Sequence, residues 1–236
     1  MKISNRSWIV IGVVFLVLFI DQCLKIWVKT HMEYGEEFGI LGLPWARIHF
    51  VENEGMAFGL SLGGNLGKLA LSVFRLVAVG FLMYIIASLI KAKETFGVIL
   101  SFSLILAGAL GNILDSAVYG LIFSDTPYHG GLATLFPPGG GYAHFLFGKV
   151  VDMLYFPIID TTFPGSFPIW GGERFQFFRP VFNISDASIS TGVISLLLFH
   201  RRIFKSRSTP VEMNQESSIA DNEITTTSPS IPEEGN

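Results

Sequence analysis

Cysteine is almost absent: Cys23 stands alone in 236 residues, which excludes an internal disulfide and any cysteine-cluster metal site. There is no His-Glu-x-x-His helix, and His129 and His144 are isolated residues that read as loop positions rather than metal ligands. No Gly-x-Ser-x-Gly elbow offers a serine nucleophile. The run Gly139-Gly140-Gly141 lacks the Lys-Ser/Thr of a phosphate loop and reads as a flexible turn. Basic residues form no patch with interleaved aromatics, so nucleic acid is not an expected partner. Neither an internal repeat nor an inverted pair of broken helices occurs. No metal and no cofactor is expected.

Charge is scarce too, at 15% of residues, while half the chain is hydrophobic and 22 residues are Phe. With a mean hydropathy of +0.52, this is the composition of a membrane protein. A bilayer core of about 30 Å needs roughly 20 helical residues to cross it. Four segments qualify: about 8–28, 69–90, 96–114 and 186–204. The first is read as a retained span, because Asp21-Gln22-Cys23 follows it where a cleavage site would need small residues. For the same reason Ile20 to Cys23 is not a lipid-attachment box. Lys2 and Arg6 precede the first span, Lys91 and Lys93 separate the second and third, and Arg201, Arg202, Lys205 and Arg207 follow the fourth. The positive-inside rule then puts both termini in the cytoplasm. Two segments fall outside, about 29–68 and 119–185. The first holds ARIHFVEN, whose alternation predicts a strand. The second is rich in Gly, Pro and aromatics, and is expected to lie on the bilayer surface or pack on the bundle. Residues 208–236 hold six acids and no Lys or Arg, and read as a disordered acidic tail.

Within this frame the acids collect at one face. Asp21, Gln22 and Lys25 lie toward the outer end of span one, Asn112 and Asp115 at that of span three, and Asn183 and Asp186 open span four. Asp152 lies between them in GKVVDMLYFP, among apolar neighbours that make its charge costly. Structural uses are available for most of these residues. Asn183 and Asp186 have the spacing of a helix cap with an acid in the first turn. Asp21 and Lys25 form an i, i+4 pair, Asp115 suits a helix end, and Asn53 suits a turn. Arg75 reads as a residue snorkelling to headgroups. Asp152 is hardest to assign to structure, with Lys149 as its one sequence-near cation. The chemistry still open is a pair of carboxylates sharing a proton, one activating water and the other protonating or hydrogen-bonding a scissile carbonyl.

DQCLK at 21–25, NEGMAFG at 53–59, GNILD at 111–115, VVD at 150–152 and FNISD at 182–186 occur in the order found in bacterial lipoprotein signal peptidase, signal peptidase II, which this chain resembles over about residues 8–204. The resemblance implies a four-helix all-α membrane bundle with a small extracytoplasmic β-platform and, here, long outer loops. It implies an intramembrane aspartyl endopeptidase without a metal. Such enzymes cut diacylglyceryl-modified prolipoproteins before the lipidated cysteine. They work as monomers among membrane lipids, at the periplasmic face of the inner membrane. The catalytic pair falls on Asp152 and Asp186. Site support or substrate binding falls on Asp21, Lys25, Asn53, Gly55, Asn112, Asp115 and Asn183. The competing class is a small transporter or channel using intramembrane acids, which predicts acids near mid-membrane and repeat symmetry.

The chain departs from the family pattern in places. Ser116 replaces the Arg that commonly follows the GNxxD acid, and Arg174 or Arg179 is a candidate substitute. Met153 stands where Phe is common, and Ser185 where Ala is common. The stretches between Asp115, Asp152 and Asp186 are long, and the surplus, roughly 123–147 and 160–178, is assigned to elaborated outer loops.

Overall fold

The computed structural model describes residues 4–54 and 64–200. Gly55, residues 201–204 of the fourth expected span, and the acidic tail lie outside the described residues. Helix α1 (Asn5–His31) is capped by Ser4, whose side-chain oxygen accepts from the Ser7 amide. Its buried residues are Asp21, Lys25, Val28 and Lys29, while Phe15, Leu16 and Phe19 are exposed. A helix that hides its charges and shows its Phe and Leu is built for lipid outside and a polar interior. Helix α2 (Gly64–Lys91) buries Ser72, Val79 and Ile86, spaced seven apart on one stripe. Helix α3 (Phe96–Leu114) is the central element, touching α1, α2 and α5 (Ile184–Phe199). It runs on through a π turn, Asp115–Tyr119, and a last short turn α4 (Gly120–Ile122). Asn5–His31, Gly64–Lys91 and Phe96–Ile122 are long and apolar enough to cross a membrane. Helix α5 is apolar but has 16 described residues, a rise of about 24 Å.

Glycines set the approach of α3 to α5. A Cβ on Gly108 would meet the Ser185 carbonyl oxygen at 2.1 Å, and one on Gly111 would meet Ser185 Oγ at 1.9 Å. Small residues there let backbones touch, the usual basis of helix association in lipid. Ser185 Oγ is buried in this contact with no hydrogen-bond partner among the described residues.

The strand expected from ARIHFVEN forms as β2 (Arg47–Asn53), in an antiparallel sheet with β1 (Glu37–Gly39), β3 (Val150–Tyr155) and β6 (Val181–Phe182), ordered β1-β2-β3-β6. Strands β4 (Ile159–Thr162) and β5 (Arg174–Phe177) pair as a separate hairpin. One face of the larger sheet packs on the end of the bundle, where Phe50, Val151 and Met153 meet Val28, Met32, Tyr119 and Phe123. Lys29 adds a polar pin, donating to Glu52 and, at 2.8 Å, to Thr126 Oγ1 while lying near the Phe123 and Tyr142 rings. The segment leading into β3 presses on the π turn. The Gly148 amide donates to the Ser116 carbonyl at 2.8 Å, and a Cβ on Gly148 would meet the Asp115 carbonyl at 2.2 Å. The chain therefore delivers β3 against the end of α3.

Because a buried hydroxyl without a partner costs about 1–3 kcal/mol, Ser185→Ala is expected to stabilise the protein. Thermal unfolding in detergent should show a midpoint raised by a few degrees, about 2–4 °C per kcal/mol for a chain of this size. A lowered midpoint would contradict the packing described.

Candidate active site

The polar residues of α1, α3, β3 and α5 converge where the sheet meets the bundle. The nucleus is the Lys25 ammonium, fully buried, 2.9 Å from Asp21, 2.8 Å from Asp115 and 3.1 Å from Asn112 Oδ1. Three acceptors around one three-donor cation satisfy it, and two carboxylates offset its charge. Each acid also holds backbone. Asp21 Oδ1 accepts from the Ser185 amide at 2.9 Å, fixing α5, and Asp115 Oδ2 accepts from the Val151 amide at 3.2 Å, fixing β3. Gln22 donates to Asp115 Oδ1 at 3.0 Å and accepts from the Tyr119 hydroxyl. Asp115 is thus not only a helix-end residue. It opens the π turn and ties three elements together, consistent with π turns marking functional places in helices.

One layer outward stand Asp152 and Asp186, joined through Asn183. The Asn183 Nδ2 donates to Asp152 Oδ1 at 2.7 Å, while its Oδ1 accepts from the Asp186 amide at 2.9 Å. The Asp186 Oδ2 in return accepts from the Asn183 amide at 3.3 Å, closing a capping box at the start of α5. Capping and site-building are therefore one arrangement here. Asn112 Nδ2 donates to Asp186 Oδ1 at 2.8 Å, and Asn53 donates to Asp152 Oδ2. Asp152 is 4% exposed. Burial first, and the Asp186 charge second, push its carboxyl up to about 7, against the pull of Lys25 and of the Asn183 hydrogen bond. Lys149, the cation adjacent in sequence, instead contacts Asp125 at 2.8 Å and lies 3.9 Å from Glu52.

Of the residues expected from sequence, Asp21, Lys25, Asn112, Asp115, Asp152, Asn183 and Asp186 form this connected network, and Asn53 joins it from β2. Gly55 lies outside the described residues. Two expectations about arginines need correction. Arg174 pairs with Asp160 through bonds of 2.8 and 2.5 Å on the β4–β5 hairpin, and Arg179 lines a cavity with Glu37 and Arg47 beside that hairpin, so neither stands in for the missing Arg at position 116. Arg75 is no mere headgroup anchor: its Nη1 donates to Ser116 Oγ at 3.3 Å, bringing a cation from α2 to the edge of the acid cluster. Lys29 and Glu52 were not singled out from sequence, since nothing local distinguishes them from solvated charges.

Helices of membrane-crossing length, closed at one end by a sheet that carries a buried aspartate, define a membrane protein with a cluster of carboxylates at one end of its bundle. The profile of the signal peptidase (SPase) II family matches residues 13–202. A lipoprotein signal peptidase of Porphyromonas gingivalis is 51% identical over 195 residues, covering 82% of this chain and 83% of that one. Another, of Amoebophilus asiaticus, is 31% identical over 224 residues, covering 94% and 88%. Two solved structures described as bacterial membrane enzymes superpose with TM-scores of 0.51 at 22% and 25% identity. Each covers 85% of this chain, and this chain covers 93% and 94% of theirs. The chain belongs to the signal peptidase II family and is a membrane protease, which displaces the transporter reading.

Since the Asn183 hydrogen bond holds the Asp152 carboxyl down, weakening it should let the carboxyl rise further. Asn183→Ser keeps an oxygen to cap α5 but withdraws the amide donor. Carboxyl-carbon NMR titration of Asp152 should move above its wild-type midpoint. An unmoved or lowered midpoint would sever Asn183 from the acid.

Proposed function

We propose that Asp152 and Asp186 are the catalytic pair of this signal peptidase, which removes signal peptides from prolipoproteins. The reading is carried by one observation: the Asn183 side chain holds the Asp152 carboxylate by its amide and the Asp186 backbone amide by its oxygen, and burial with the Asp186 charge pushes the Asp152 carboxyl up to about 7. A pair near neutral pH that holds one proton supplies an acid and a base together.

Asp186 lies in the first turn of α5 and serves as the base. Asp152, buried on β3, is the proton carrier. The scissile carbonyl of a diacylglyceryl-modified prolipoprotein takes a hydrogen bond from the Asp152 proton. Asp186 withdraws a proton from water as the water oxygen bonds to that carbon. The carbon–nitrogen bond then breaks, the new amine takes a proton from the pair, and the pair returns to its singly protonated state. Asn112 steadies Asp186 through its 2.8 Å bond. Asn53, the last residue of β2, steadies Asp152. Asp21, Lys25 and Asp115 act through these groups, as positioning residues.

The substrate's acyl chains stay in the leaflet beside the sheet while the cleavage point reaches the acids at the interface. In this reading α5 belongs to the fourth span. The sheet then faces the periplasm, and both termini lie in the cytoplasm of a cell with an inner membrane. The basic residues at the opposite helix ends support that orientation.

Single replacement of Asp152 or Asp186 by Asn is expected to lower cleavage of a diacylated substrate in detergent by at least about 10³-fold. Near-normal turnover in either variant would overturn the assignment. The pH profile provides a separate check. An acid lifted to about 7 loses its proton through neutrality, so kcat should fall along an alkaline limb centred there, and Asn183→Ser should carry that limb upward.

A further inference from the structure

The β4–β5 hairpin serves none of the chemistry above. Its tip, residues 163–173, reads FPGSFPIWGGE, with Glu173 its one charged residue. The Phe163 ring lies 5.1 Å from that of Phe167, 6.2 Å from Trp170 and 5.4 Å from Phe175. These rings stack on one another rather than on the bundle, leaving Ile169 76% and Trp170 50% exposed. A lone two-stranded hairpin is marginal in water, and one with an apolar tip needs a covering phase.

The hairpin is rooted at a defined level of the molecule. Trp27, exposed near the end of α1, touches Phe38 edge-on at 6.3 Å. Across the sheet, Trp45 meets Phe156 at 6.4 Å, Phe156 meets Phe182 at 5.6 Å, and Phe182 meets Phe178 at 6.1 Å. Aromatic rings around the end of a membrane helix mark the headgroup level. Phe178 directly follows β5, so the hairpin leaves the protein from this belt.

A cavity of about 260 Å³ lies at the same root, between hairpin and sheet. Arg47, Arg174 and Arg179 line it together with Glu37, Tyr155 and Gln176. Glu37 pairs with Arg47 at 2.8 Å and Asp160 pairs with Arg174. Arg179 has no ion pair among the described residues, so the lining keeps an excess of positive charge. An apolar tip beside a cationic recess matches the two parts of a phospholipid: acyl chain and phosphate.

We infer that the β4–β5 hairpin is an interfacial anchor, its aromatic tip sunk at the headgroup–acyl boundary and the arginine-lined cavity at its root holding a phospholipid phosphate. The inference rests on the membrane setting of the fold and not on the catalytic pair. Its readouts therefore do not depend on cleavage.

The test uses the full chain in nanodiscs of phosphatidylcholine with or without phosphatidylglycerol. A spin label on Ile169→Cys, in a Cys23→Ser background, should be accessible to oxygen and shielded from a water-soluble nickel chelate. A label as open to the chelate as one on a soluble loop would overturn the anchor. Arg47→Gln and Arg179→Gln should each weaken retention of phosphatidylglycerol, read by native mass spectrometry, by about fivefold. Unchanged retention, or displacement of the lipid by millimolar inorganic phosphate alone, would overturn the lipid site. Wild-type cleavage in detergent by both variants confirms that they fold.

Discussion

The Lys25 ammonium is the constraint from which the rest of the site follows. A charge at the end of a membrane helix is stable only when paired and fully hydrogen-bonded. Meeting that requirement here draws in Asp21 from one turn earlier on α1, and Asn112 and Asp115 from α3. Each acid also accepts from a backbone amide of another element: Ser185 for α5 and Val151 for β3. One buried cation thus fixes the mutual placement of three helices and a strand. Removing it would leave two buried acids facing each other.

The contrast with the outer acids explains the division of labour. Asp21 and Asp115 are each within 3 Å of an ammonium. Asp152 receives its hydrogen bonds from the amides of Asn183 and Asn53, which donate without adding positive charge. Two acids in direct contact with the cation become structural. For an acid one layer further out, burial and the Asp186 charge outweigh the pull of that cation, and its carboxyl is lifted to about 7. Arg75 reaches the edge of this layer through Ser116, a second cation beside the pair.

Much of this was legible in the sequence because membrane helices invert the ordinary rule of exposure. Charged residues in an apolar run point inward, so Asp21, Lys25, Asn112 and Asp115 could be gathered from hydropathy and periodicity alone. The alternation of ARIHFVEN announced β2, and the spacing of Asn183 and Asp186 announced a cap. Pairings across long loops were not legible. Lys29 with Glu52, Arg75 with Ser116, and Lys149 with Asp125 depend on where residues 123–149 and the sheet come to rest. No local period encodes that. The same limit explains why Arg174 seemed a substitute at the site. Its true partner, Asp160, lies across a hairpin whose turn is eleven residues long.

The site also works against the fold that carries it. Asp152 binds its proton more tightly in the folded state, at about 7, than the ordinary carboxyl value of 3.8. Between those values the native state holds more protons than the unfolded chain, so its contribution to stability falls as pH rises from about 4 to about 7. The protein is thus least helped by this residue at the pH where the proposed proton carrier would work. Something must hold β3 in place regardless, and the structure supplies it away from the acids. The Lys29–Glu52 pin, the apolar cluster around Phe50 and Met153, and the Gly148 contact with the π turn all clamp the sheet from its other face. A carboxyl that is costly to ionise is tolerable on a strand held in place by separate contacts on its other face.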